Sequence, residues 1–269
     1  MSNQMGDCCV SGHIHSGTPK GTVETIGGCK TYVAKASSGS KAQTVIFITD
    51  IFGYELPNAR LLADEYADNG FYVLIPDLFN GDSLSIDLLK AVAPLRSDPE
   101  VSDQVKKERG SAVEANLYPW MGKHGEDVTK PIIEKFIAAV RADSGVSKIG
   151  SVGFCWGGRY TILLSSSNDY PHLDAGVANH PSMLKVPDEV TPVNKPVLVQ
   201  VGDSDGLMPM EQVKETQKAF AGKKNAEVIV YPGAVHGFTI RGDLNIEEEK
   251  EQKTSATEKA IKFLQLHLA

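Results

Sequence analysis

No apolar run in this chain approaches the roughly 20 residues that a membrane-spanning helix needs, so no membrane insertion is expected. Basic residues are in deficit, with 27 Lys and Arg against 34 Asp and Glu and a formal charge of −7. Nucleic-acid binding rests on clustered Lys and Arg, so this balance argues against a nucleic acid as partner. Pairs such as Lys106-Lys107 and Lys223-Lys224 read as solvated faces. Cysteine is scarce too. Four in 269 residues is far from the density of a secreted disulfide framework, and no Cys-x-x-Cys is present to suggest dithiol redox chemistry. The opening residues lack a basic start and an apolar stretch, so no signal peptide is expected and the expected compartment is the cytoplasm. Adjacent Cys8 and Cys9, with His13 and His15 beyond them, suit zinc poorly. A disordered N-terminal segment over about 1–20 is expected instead, and no metal or other cofactor.

What remains is an ordinary globular composition, 41% hydrophobic and 23% charged, in a chain long enough to bury a large core without metal or disulfide. Hydrophobic runs alternate with helix-like segments, the pattern of a mostly parallel sheet with helices on both faces. Residues 22–34 read as a hairpin turning at Gly27-Gly28. Residues 44–49 are β-branched and apolar on both faces, as a buried central strand should be. A helix over about 57–69 and a strand over 71–75 follow. Residues 79–127 break the rhythm, mixing short helical stretches with Gly, Pro and charge, and read as a lid or binding region. A helix over about 128–142 restores it. Strands are expected at 147–152, 175–179, 196–201 and 226–231, with helices after Trp156, over 210–221 and over about 254–268. The charged run from Glu247 to Lys253 reads as a connection or a first helical turn. With no linker or repeat, residues 1–269 are expected to form a single domain.

Three short segments carry the chemistry. Gly153-Phe-Cys155-Trp-Gly157 follows one expected strand and opens an expected helix, the setting of a nucleophile elbow. Glycine on either side admits the tight turn. A helix N-terminus favours a thiolate at Cys155. Gly202-Asp203-Ser204-Asp205 follows a later strand, and Asp205 is the expected acid, with Asp203 its competitor as a turn-former. His236-Gly237-Phe238 follows the last strand, and of the seven histidines His236 alone sits in a glycine-flanked loop there. His180, in Asn179-His180-Pro181-Ser182, is the rival. The order nucleophile, acid, histidine is that of α/β-hydrolases, and ligands in open α/β sheets bind at the strands' carboxyl edge.

With these segments in view, the chain resembles the dienelactone hydrolase (carboxymethylenebutenolidase) family from about Thr22 to the last helix. The similarity rests on Asp50-Ile-Phe-Gly53, Pro76-Asp77-Leu78, Gly153-Phe-Cys155-Trp-Gly157-Gly158, Gly202-x-x-Asp205-x-x-x-Pro209 and His236-Gly-Phe238. The opening, with Cys8-Cys9 and the later Gly-Thr-Pro, is similar to fungal members. Cysteine at the elbow is the most specific mark.

The resemblance implies an α/β-hydrolase fold that cleaves a small ester or lactone. Cys155 would be the nucleophile, His236 its base and Asp205 the orienting acid. The backbone amides of Ile51 and Trp156 would form the oxyanion hole. Two departures follow. Asp50 stands where the family has a thiol-modulating glutamate. The family's substrate-binding arginines are missing at Asn80-Gly81 and displaced by one residue at Arg241. These departures argue against a muconate-type dienelactone and for a neutral ester, walled by aromatic candidates Trp120 and Tyr118, with Arg241 the candidate cation near the mouth. A thioesterase, another thiol-dependent acyl hydrolase or a catalytically silent binding scaffold are the alternatives. The sequence leaves monomer and homodimer equally open.

Overall fold

The computed structural model describes residues 12–92, 102–166 and 173–269. Cys8, Cys9, His172 and the 93–101 stretch of the expected lid lie outside them. The elements are β1 (Thr22–Ile26), β2 (Cys29–Ala34), β3 (Gln43–Ile48), α1 (Pro57–Asp68), β4 (Tyr72–Pro76), α2 (Ile86–Val92), α3 (Asp103–Lys123) and α4 (Glu126–Arg141). Then come β5 (Lys148–Phe154), α5 (Trp156–Leu164), β6 (Ala175–Asn179), β7 (Val197–Gly202), α6 (Met210–Phe220), β8 (Ala226–Tyr231), α7 (Phe238–Arg241) and α8 (Glu247–Leu268).

The eight strands form one sheet in the order β1-β2-β4-β3-β5-β6-β7-β8. The β1–β2 and β2–β4 pairs are antiparallel, and every pair from β4–β3 to β7–β8 is parallel. This is the α/β-hydrolase fold.

Glycines show which side each helix covers. A Cβ on Gly150 would meet Leu264 and Leu268 of α8, whereas one on Gly176 would meet Thr161 of α5 and Ser165 just after it. Gly176 pairs with Ser151 in the ladder, and Ser151 follows Gly150. Successive residues of a strand point to opposite faces, so α5 and α8 cover opposite faces. The doubly covered strands are apolar throughout, as β4 (YVLIP) and β3 (QTVIFI) show. Under the elbow, Phe47 packs edge-on against Tyr66 and Phe154, with ring centroids 5.1 and 5.4 Å away.

Two expectations need correction. The 79–127 segment is dominated by one helix, α3, which runs 21 residues through Pro119. Val113, Leu117, Trp120 and His124 recur on its buried stripe. That spacing turns Tyr118, beside Leu117, to the outside, where it is 48% exposed. The charged run from Glu247 to Lys253 is the start of α8, the second of its two expected readings.

The N-terminal segment also packs against the fold from residue 12. Asn58 clamps it, donating from Nδ2 to the carbonyls of His13 and Ile240, both at 2.7 Å, and accepting from the His15 amide at 2.9 Å. His15 Nε2 donates to the Gly242 carbonyl, and burial is the main reason its pKa falls to about 4. Among the described residues no helix is long and apolar enough to cross a membrane.

Candidate active site

Parallel strands deliver their loops to one edge, and the three expected residues meet there. Cys155 follows β5 and caps α5 with φ 53°, a left-handed conformation unusual for a residue with a side chain. The turn is possible because its neighbours lack a Cβ. One on Gly153 would strike the Gly157 carbonyl, and one on Gly157 would strike the Ile48 carbonyl of β3. The Cys155 amide donates to the Asn179 carbonyl at 3.1 Å and to His180 Nδ1 at 3.2 Å.

His236 follows β8, and its Nδ1 lies 2.9 and 3.1 Å from the two Asp205 carboxylate oxygens. A carboxylate only accepts, so Nδ1 carries the proton. Asp205 Oδ1 also accepts from the Leu207 amide at 2.8 Å, which holds the carboxylate in place. Asp203 bonds elsewhere: its Oδ1 accepts from the Ser204 hydroxyl at 3.1 Å and, across to the loop after β8, from the Gly233 amide at 2.7 Å. Burial alone would lower the His236 pKa, but the charges of Asp205 and Cys155 outweigh it and hold the ring well above the usual histidine range. The Cys155 thiol is thus the second polar neighbour of the ring, although Nε2 makes no hydrogen bond of ordinary geometry.

Beneath these loops lies a buried polar network. Gln200 donates to Asn179 Oδ1 at 3.0 Å, Tyr231 donates to Gln200 Oε1 at 2.7 Å, and the His180 amide donates to the Gln200 carbonyl at 2.6 Å. The network ties together the ends of β6, β7 and β8, from which Ser182, Asp205 and His236 project.

His180 stands below the elbow. Its Nδ1 accepts the Cys155 amide, so Nε2 carries the proton and donates to Thr239 Oγ1 at 2.8 Å. Burial, helped by the charges of His236 and Arg241, pushes its pKa well below normal.

Asp50 accepts from the Phe52 amide at 3.0 Å and forms an ion pair with Arg241, both side chains being shut off from solvent. Burial raises the Asp50 pKa; Arg241 opposes that rise and Cys155 adds to it. Arg241, expected at the mouth, is instead 1% exposed and capped by Phe52, its centroid 5.5 Å away. Its position on the four-residue α7, under the N-terminal segment, accounts for the difference. The Ile51 and Trp156 amides, both in buried residues, donate no hydrogen bond among the described residues.

Ser182 escaped the sequence reading. Its hydroxyl lies 3.5 Å from the Cys155 sulfur and its amide donates to the Cys155 carbonyl at 3.0 Å. The available signal was its place in the loop at the carboxyl end of β6, the loop that drew notice only for His180. Ser182 also forms part of the wall of a small cleft of about 60 Å³, together with Trp120, His124, Trp156, Arg159 and Tyr160. Trp120 is therefore a wall of this cleft, and Tyr118 is not. Among the described residues no group of three or more His, Cys, Asp or Glu side chains could hold a metal ion.

Comparison with known proteins agrees with this architecture. The model of the dienelactone hydrolase family matches residues 29–268. "Hydrolase tropI" of Talaromyces stipitatus is 30% identical over 260 residues, 95% of this chain and 94% of that protein. "Dienlactone hydrolase 1" of Gibberella moniliformis is 30% identical over 273 residues, covering 97% and 94%. The crystal structure of a dienelactone hydrolase from Anabaena variabilis superposes with a TM-score of 0.62 at 15% identity, covering 95% of this chain and 100% of that one. This last likeness speaks for the fold alone. A match running from β2 to the last helix, with relatives alike over nearly their whole length, leads to one conclusion: the chain belongs to the dienelactone hydrolase family.

Proposed function

We propose that the chain hydrolyses a small carboxylic ester or lactone through a thioester on Cys155. Family membership makes it a hydrolase of ester or lactone bonds. The observation that carries the finer reading is the convergence of Asp205, His236 and Cys155 at one sheet edge, with the His236 Nδ1 proton held by the carboxylate. With Nδ1 so held, Nε2 keeps the proton taken from the thiol, and the resting pair is imidazolium and thiolate.

The thiolate attacks the substrate carbonyl, and the C=O electron pair moves onto oxygen. The Ile51 and Trp156 amides, which lack internal partners, supply donors for that oxyanion. His236 then protonates the leaving alkoxide, giving the acyl-cysteine. In the second half His236 takes a proton from water, the hydroxide attacks the thioester, and the acid leaves as Cys155 regains its proton. Asp205 holds the ring in register throughout. The buried Asp50–Arg241 pair lies within electrostatic reach of the sulfur and biases its charge. We place the protein in the cytoplasm.

The test is a panel of aryl esters, lactones and thioesters, assayed with the wild type and with Cys155→Ala. The expected loss of kcat for Cys155→Ala is about 10⁴-fold or more on every substrate cleaved. Undiminished turnover in that variant would remove Cys155 from the mechanism.

A further inference from the structure

The cleft that reaches Ser182 is lined by rings. Trp120 stacks on His124 with centroids 4.4 Å apart and planes 19° from parallel. Trp156 lies 4.5 Å from Tyr160, and Phe79 braces both tryptophans edge-on at 5.0 and 4.9 Å. Trp120 Nε1 donates to the Asp82 carbonyl at 2.6 Å, which fixes the indole in its wall. Such a slot accepts flat apolar groups through face and edge contacts.

Charge decides what else the slot accepts. Among the described residues lining it, Arg159 is the one side chain with a permanent positive charge. Two carboxylates already occupy it. Its Nε lies 2.9 Å from Glu189 Oε2, and its Nη2 lies 2.7 Å from Glu126 Oε2. Burial would lower the Arg159 pKa, and the hydrogen bonds to Glu189 and Glu126 more than reverse that. Glu126 is held below the usual carboxylate range chiefly by its bond to Arg159. One cation with two anions leaves these three side chains at about −1, partly offset by Lys185 and Lys130, whose charges also act on Glu126. Arg241, on α7, is paired with Asp50 in the same way.

We infer that the cleft binds an uncharged aromatic arm of the substrate, and that Glu126 and Glu189 are the specificity determinants that exclude anionic arms. The inference rests on the ester-hydrolase reading for its placement beside Cys155. Ser182 makes that link, since it borders both the sulfur and the cleft. Each glutamate acts through Arg159. Left alone, the guanidinium would offer a two-pronged anchor for a carboxylate; with Nε and Nη2 held by Glu189 and Glu126 that fork is taken, and the Glu126 carboxylate lines the cleft beside it.

Both tryptophans of the chain line this cleft, so intrinsic fluorescence reports its occupancy. The first experiment titrates the Cys155→Ala protein with benzamide and with 4-carbamoylbenzoate, which differ by one carboxylate. Benzamide is expected to bind about tenfold more tightly, the order of a like-charge penalty at a partly wet site. In Cys155→Ala carrying Glu126→Gln and Glu189→Gln, that gap is expected to close or reverse. Glu126→Gln alone, at a side chain 44% exposed, provides a milder variant should the double one fold poorly. The second experiment compares kcat/KM for phenyl acetate with 4-carboxyphenyl acetate, and for ethyl benzoate with monoethyl terephthalate, in the wild type and both variants. Equal or stronger binding of the anion by the unmodified cleft overturns the inference. So does a neutral preference that survives removal of both carboxylate charges. Absence of Cys155-dependent turnover counts against the hydrolase reading instead, and the fluorescence titration still decides the cleft's preference.

Discussion

The loops that follow β6 and β8 each deliver a buried histidine, and the two rings sit edge to face with centroids 4.9 Å apart. Burial lowers the pKa of both, yet they end on opposite sides of the ordinary value. On the β8 loop, Nδ1 of His236 faces a carboxylate, and the charges of Asp205 and Cys155 overcome burial. On the β6 loop, Nδ1 of His180 faces the amide of Cys155, no carboxylate bonds the ring, and burial prevails. What stands at Nδ1 separates a ring fit to take a proton from one that serves as a neutral strut for the elbow.

Substituting the two rings puts the contrast under strain. His236→Asn is expected to lower kcat by about 10⁴-fold while leaving the fold intact, read by steady-state kinetics and circular dichroism. A variant that keeps a tenth of the activity would erase the distinction.

Asp205→Asn is next, at about 10³-fold in kcat, because the amide no longer holds the proton on Nδ1. The same variant bears on stability. The folded pKa of His236 is raised, so pairing with Asp205 stabilises the fold fully below about pH 6.5, the unfolded value, and that stabilisation is lost as pH rises through the folded value. The wild-type Tm should therefore fall on the alkaline side, and Asp205→Asn should lack that part of the fall. Parallel Tm curves for the two proteins would contradict the assigned charges.

The smallest effect is expected at His180. His180→Phe keeps a ring but strands Thr239 Oγ1, and should cost about 1–3 kcal/mol in urea denaturation. The Cys155 amide retains the Asn179 carbonyl, so kcat should fall by no more than about tenfold. Inactivation as deep as that of His236→Asn would make His180 a chemical participant.

A second contrast, between sheet edge and cleft, explains what the sequence disclosed. Cys155, Asp205 and His236 each follow a short apolar strand, with glycines whose missing Cβ marks a tight approach, so local signals reach the structure unaltered. Strand and helix positions near them came out within a residue or two for the same reason. The cleft has no such local code. Its walls join α3, α4, α5 and the β6 loop, and only tertiary packing brings Trp120 to Trp156 or Glu126 to Arg159. Pro119 and the weakly patterned helix around it concealed α3, and with it the fact that Tyr118 faces out. Arg241 was visible as a charge near the histidine, but its partner Asp50 lies 191 residues away in sequence. A charge read without its partner is easily assigned to the mouth.

The proposed mechanism places a covalent acyl group on one sulfur, and mass spectrometry detects such a group. The protein is mixed with an activated aryl ester, quenched in acid within the first turnover, digested and mapped. One acyl mass is expected on the peptide carrying Cys155, labile to hydroxylamine as a thioester is and absent from Cys155→Ala. An acyl group on Ser182, whose hydroxyl lies 3.5 Å from that sulfur, or hydrolysis with no acylated peptide at any time, would contradict it.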